Sequence, residues 1–174
     1  MSKTKSSVSL GELIKEFKYE PELTTYLDML GTQEMNSEDL LKITLWKVAR
    51  FPHIEDDLRY QLNSLAYIKD LSNPKEKELA EGVLCKLLKC KGVRLPMAST
   101  YLRFRNPHVF QIIDRHMWKQ IMLDENGKYK ESNEYKKMAH IYFQYLEKLR
   151  EKCKKDNVDF FYADRVYYLA DKKK

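Results

Sequence analysis

The chain has 174 residues, 43% hydrophobic and 12% aromatic, with only five glycines and five prolines, which suffices for one ordinary domain with a real core and favours long helices over turns. No apolar run reaches the ~20 residues that a bilayer crossing needs; the opening MSKTKSSVS has two lysines and no apolar stretch behind them, so it reads as a flexible tail rather than a secretory leader, and the expected setting is cytoplasmic (nucleoid-associated if the source is bacterial). The formal net charge of +6 is unevenly spread: residues 10–85 hold nine basic and fifteen acidic groups, whereas 86–119 hold eight basic groups and one acid, Asp114.

In chain order, apolar residues at helical spacing predict helix nearly throughout. Leu10, Leu13, Ile14 and Phe17 mark a first segment over 10–19. Pro21 opens a second that stops at Gly31. Asn36-Ser37 offers caps for a third over 38–50, expected to bury Leu41, Leu45 and Val48 while Ile43, Lys47 and Arg50 share another face. Helices over 55–65 and 75–90 follow, split by Ser72-Asn73-Pro74. The second of them carries a stripe of Leu79, Val83, Leu84, Leu87 and Leu88. After a break at Gly92, Pro96 starts a short helix with Met97, Ala98, Tyr101 and Leu102 inward and Arg103 and Arg105 outward; Asn106-Pro107 ends it. Residues 115–123 form the next.

The polar run 124–133 is a loop. A long helix over 134–155 shows Tyr135, Met138, Tyr142, Tyr145, Leu149 and Cys153 on one stripe. Asp159 caps the last, with Phe160, Ala163, Val166, Tyr167 and Ala170 inward. "HVFQII" is the one β-like run. The fold expected is all-α: a flexible tail at 1–9, then a single multi-helix domain over 10–174.

Cys85, Cys90 and Cys153 make no C-x-x-C pair, and His53, His108 and His140 are scattered, so neither a metal site nor a cofactor is expected. Cys85 and Trp118 read as core. The positive band, by contrast, suggests an anionic partner. Within it the order is helix, Gly-containing turn, helix, loop, carboxylate, helix. Such a hairpin can aim the first N–H groups of its second helix at a phosphate. Gly92 would allow close approach, and Lys91 and Arg94 would add sequence-independent attraction. Asp114, just before a helix, is equally a natural N-cap.

The stretch from about 85 to 120 resembles the helix-hairpin-helix DNA glycosylase superfamily, nearest in local motif to its 8-oxoguanine and adenine members. Gly92-Val93 matches the central Gly-Val of the hairpin and Ala98 the small residue of the helix after it. Asn106-Pro107 matches the turn, Ile112-Ile113 the apolar pair, and Asp114 the catalytic aspartate, with Arg115-His116-Met117-Trp118 behind it. The resemblance implies a compact all-α fold of that type, with the hairpin and acid motif at 75–120. It also implies duplex DNA as the partner, held through its phosphates, and base excision by Asp114, which would stabilise an oxocarbenium-like sugar or activate water. Lys91, Gly92, Val93, Arg94, Arg103, Arg105 and Arg115 are the expected nucleic-acid contacts, with Lys47 and Arg50 as further candidates from the early helices.

The departures are specific. Lys91 replaces the hairpin proline and Arg94 its second glycine, and Pro96 stands where bifunctional members carry a Schiff-base lysine. Three cysteines cannot hold an iron–sulfur cluster. Any activity is therefore expected to be monofunctional N-glycosyl hydrolysis by a monomer. Two other readings stay open: a non-catalytic nucleic-acid-binding module that keeps only the positive band, and an all-α protein-interaction domain facing an acidic partner.

Overall fold

The computed structural model describes residues 20–31, 34–48, 52–122 and 132–173. Among these lie eight α-helices, two 3-10 turns and no strand. The chain divides into two units, Met1–Phe51 and Pro52–Lys174, at a point where the sequence suggested no boundary. The expected helix over 10–19 lies outside the described residues.

In the first unit α1 (Pro21–Leu30) begins at the predicted proline, whose fixed φ suits a first helical position, and stops at Gly31, φ 51°. Helix α2 (Ser37–Val48) is capped reciprocally. Asn36 Oδ1 accepts from the N–H groups of Glu38 and Asp39, while Asp39 Oδ2 accepts from Asn36 N–H. Asp39 also accepts from the Tyr26 hydroxyl, Lys42 lies 4.1 Å from the Tyr26 ring centre, and Trp46 Nε1 donates to Thr24 Oγ1 at 2.9 Å. Residues 39, 42 and 46 share a face at three- and four-residue spacing, and that face meets α1. Leu41, Leu45 and Val48, expected to be buried, are therefore 64%, 46% and 50% exposed.

The second unit is built from α3 (Asp56–Ser64), a 3-10 turn (Leu65–Tyr67), α4 (Pro74–Lys89), α5 (Leu95–Arg105), α6 (Arg115–Met122), α7 (Tyr135–Asp156), a second 3-10 turn (Phe160–Tyr162) and α8 (Ala163–Lys172). Asn73 Oδ1 caps α4 through Lys75 N–H, and Pro74 takes its first position. Asp159 caps the turn before α8 through Phe161 N–H, as expected. Helix α4 packs on α3, α5 and α7, and α6 on α7 and α8.

The core joins Val83, Leu84 and Leu87 of α4 to Leu95, Ala98 and Leu102 of α5 and to Met138, Tyr142, Tyr145 and Leu149 of α7. Each full burial of a leucine is worth about 1.5–3 kcal/mol. Trp118 is buried as expected, and Cys85 is partly buried against this core. Leu79, Val166 and Ala170, expected inward, face solvent instead. They lie beyond the arc that the neighbouring helices cover.

Candidate nucleic-acid interface and the cavity at Asp114

Between α5 and α6 the chain runs from Asn106 to Asp114 without helix or strand, so "HVFQII" forms no β ladder. Its backbone must find other partners, and side chains supply them. Asn106 Nδ2 donates to the carbonyls of Leu65 and Ile68 at 3.0 and 2.9 Å. Gln111, fully buried, donates to Pro107 O and accepts from Asp164 N–H. Tyr142 and Tyr145 of α7 donate their hydroxyls to Gln111 O and Ile112 O at 2.9 and 2.6 Å. Burial pushes both phenols well above their ordinary range, so they stay protonated and act as donors. Ser99 Oγ accepts from Ile113 N–H at 3.1 Å, and Arg150 donates to Val109 O at 2.8 Å.

This clamped connector ends in Asp114. Its Oδ1 accepts from Met117 N–H at 2.8 Å, and Trp118 N–H bonds to its carbonyl, so the residue is the N-cap of α6. Its Oδ2 has no hydrogen-bond partner among the described residues. No buried side-chain oxygen is left unpaired, so Oδ2 reaches solvent. The residue lines a cavity of about 440 Å³ with Ile112, Met117, Asp164, Arg165, Tyr168 and Leu169. The cap on α6 thus uses one oxygen of Asp114 and leaves the other accessible.

Beside the cavity, His116 Nδ1 lies 2.7 Å from Asp171 Oδ2, and Gln120 Nε2 donates to Asp171 Oδ1 at 2.8 Å. The His116 contact, followed by that of Gln120, holds the Asp171 carboxyl below its usual range. His116 also meets Tyr168 edge-on, with ring centres 5.2 Å apart.

The predicted hairpin forms at the end of α4. Val93 N–H bonds to Cys90 O, and Gly92 has φ 82°, a left-handed conformation that favours glycine. Helix α5 starts at Leu95 with no side-chain cap hydrogen bond from Arg94, and Pro96 at its second position has no N–H to offer. Lys89, Lys91, Gly92 and Arg94 line a cavity of about 430 Å³ together with Ser132 and Asn133. Val93 lines it too, but its own side chain is buried.

Among the described residues, this cavity and the one at Asp114 share no lining residue. The link between them is Ser99, which holds Ile113 from the second turn of α5. It stands five residues after Arg94, about 7.5 Å of helical rise.

The positive band is less uniform in space than in sequence. Arg103, predicted to point outward toward a nucleic acid, is 3% exposed. Its Nε donates to Asp164 Oδ2 at 3.0 Å and its terminal nitrogen to Phe161 O at 3.3 Å. Residues 160–164 return across α5 and enclose it, which the local sequence of α5 gives no means of seeing. Arg105 is half-buried and donates to Asn63 O at 2.9 Å. Lys86 is tied to Gln61 and Asp57. Lys89, Lys91, Arg94 and Arg115 are exposed. Lys47 is exposed on α2 in the first unit, and Arg50 lies outside the described residues.

Asp164, Tyr168 and Asp171 carry no local motif and were not singled out from sequence. They come to the site because α8 packs on α6. Among the described residues no group of three or more His, Cys, Asp or Glu is placed to hold a metal ion, and no helix is long and apolar enough to cross a membrane. Comparisons with protein-family models, curated proteins and solved structures find no match.

Proposed function

We propose that the chain binds DNA and removes a base from it by N-glycosyl hydrolysis, with Asp114 as the acting carboxylate. The observation that carries this reading is the division of labour at Asp114. Its Oδ1 is immobilised by the α6 cap, and its Oδ2 is accessible beside a largely apolar cavity. The cavity volume falls within the ~300–1,000 Å³ range of small-ligand sites. The exposed side chains of Tyr168 and Leu169 at this cavity suit a flipped base.

In the reaction the C1′–N bond breaks and its electron pair leaves with the base. The developing positive charge on the sugar is stabilised by Asp114. Water then bonds to C1′ and gives up a proton through the carboxylate, and the departing base is protonated. Pro96 has no amine for a Schiff base, so strand cleavage is not part of this chemistry. The Gly92 turn, with Lys91 and Arg94 beside it, would hold phosphate.

The separation of the two cavities favours a second reading, a non-catalytic module that grips DNA through the turn alone. One assay divides them. Duplexes and single strands bearing oxidised, alkylated or deaminated bases are incubated with the protein, treated with alkali and examined for strand breaks. The glycosylase reading expects breaks that fall at least ~100-fold with Asp114→Asn. Breaks that survive this substitution overturn the mechanism. Salt-sensitive binding with no breaks on any lesion selects the passive module, and no binding at low salt selects a protein-interaction domain.

A further inference from the structure

Phe104, on α5, is 70% exposed, and Tyr162, in the turn before α8, is 49% exposed. They are not isolated rings. The buried Arg103 guanidinium carbon lies 5.1 Å from the Phe104 ring centre and 5.5 Å from that of Phe161. Phe161 meets Tyr162 edge-on, with ring centres 4.8 Å apart, and lies tilted to the His108 ring at 5.2 Å. Arg165 then lies 6.0 Å from the Tyr162 ring centre and lines the Asp114 cavity. A row of rings, pinned from beneath by a fixed cation, therefore leads to the edge of that cavity.

Asp164 is paired with Arg103. Asp159, exposed near Phe161, keeps its charge while its Oδ1 accepts from Phe161 N–H, so the two arginines Arg165 and Arg105 outnumber it. Arg165 is exposed at one end. Arg105, next to Phe104 in sequence, uses Nε for Asn63 O, and its terminal nitrogens have no partner among the described residues. Because no buried side-chain nitrogen goes unpaired, those nitrogens reach solvent. Exposed rings alternating with cations suit unstacked bases on a phosphate backbone, since every base offers a π face. A paired duplex keeps its bases stacked on each other and could not use the rings.

We infer that Phe104 and Tyr162 form a stacking platform for an unpaired DNA strand, with Arg105 and Arg165 on its phosphates. This rests on the base-excision reading for its direction: it makes the substrate class single-stranded, gapped or bubble DNA rather than a fully paired helix. Its test does not depend on excision.

Binding of labelled oligothymidylate and of a blunt duplex is measured by fluorescence anisotropy. The proteins are the wild type, Phe104→Leu/Tyr162→Leu, and Phe104→Tyr/Tyr162→Phe. Leucine keeps the apolar cover over Arg103 but removes the π face. The expected result is a loss of about tenfold or more per ring on oligothymidylate, little change on blunt duplex, and recovery in the aromatic variant. Equal affinity of the leucine variant and wild type for oligothymidylate overturns the platform. So does no binding of oligothymidylate by the wild type, or an equal loss on both DNAs. A platform that behaves as expected while Asp114→Asn leaves lesion cleavage untouched removes only the base-excision reading.

Discussion

Arg103 and Asp164 form an ion pair closed to water: Nε to Oδ2 is 3.0 Å, and the side chains are 4% and 9% exposed. It ties α5 to α8 across 61 residues of chain. Removing one partner leaves an uncompensated buried charge, which costs about 3–5 kcal/mol, whereas replacing both with apolar groups of similar size is close to neutral. Arg103→Leu should lower the urea unfolding free energy by about 3–5 kcal/mol. Arg103→Leu/Asp164→Leu should recover most of that loss, and an additive double variant would count against the pair.

The two roles of Asp114 separate by substitution. Asparagine is as good an N-cap as aspartate, and alanine is worse by ~1 kcal/mol. Asp114→Asn should therefore melt close to wild type while abolishing base excision, and Asp114→Ala should lose both stability and activity. Thermal melts read beside the alkali assay give the comparison.

Asn106 supports the connector through carbonyls of the 65–68 turn. Asn106→Leu leaves buried acceptors unpaired, at about 1–3 kcal/mol. Chemical denaturation should show that loss. Faster exchange of the Ile113 amide should accompany it, since its Ser99 bond sits on the same connector.

Asp171 has a folded-state pKa below its unfolded value of ~3.9, held there first by His116 and then by Gln120. The sign follows: the contact stabilises the fold above about pH 4 and is lost as pH falls through the lower, folded value. Lys119, 4.0 Å from Asp171, acts in the same direction. Asp171→Asn should therefore destabilise the protein at neutral pH and converge with wild type in acid. Melting temperatures across an acid-to-neutral series test this.

Gly92 has room for a Cβ, with nothing within 4 Å of it, so its cost on substitution is purely conformational. Gly92→Ala should lose about 1–2 kcal/mol. Lys91→Ala should leave stability alone and reduce the salt-dependence slope of duplex binding by about 0.9, the share of one phosphate contact. An unchanged slope would remove Lys91 from the interface.

The helices were legible because their ends are written locally: Pro21, Pro74, Gly31, Asn36 and Asp159 mark boundaries by their own backbone preferences. The long stripe from Met138 to Cys153 could be read for the same reason. What the sequence hid depends on contacts far along the chain. Arg103 looks like a solvent-facing residue until Asp164 and Phe161 close over it. Leu41 and Leu45 look like core until Asp39, Lys42 and Trp46 take the face toward α1. The acid at 114 and the glycine turn were both identifiable from their neighbours. That they open into separate cavities was not, because Tyr168 and Leu169 enter only with α8.

The connector from Asn106 to Asp114 borrows its order from Tyr142, Tyr145 and Arg150, which come tens of residues later. During synthesis, then, the acid emerges well before the groups that fix it. A nascent chain halted ahead of α7 would hold Asp114 only through Asn106, Ser99 and the α6 cap, so the connector is completed late, when the long helix docks.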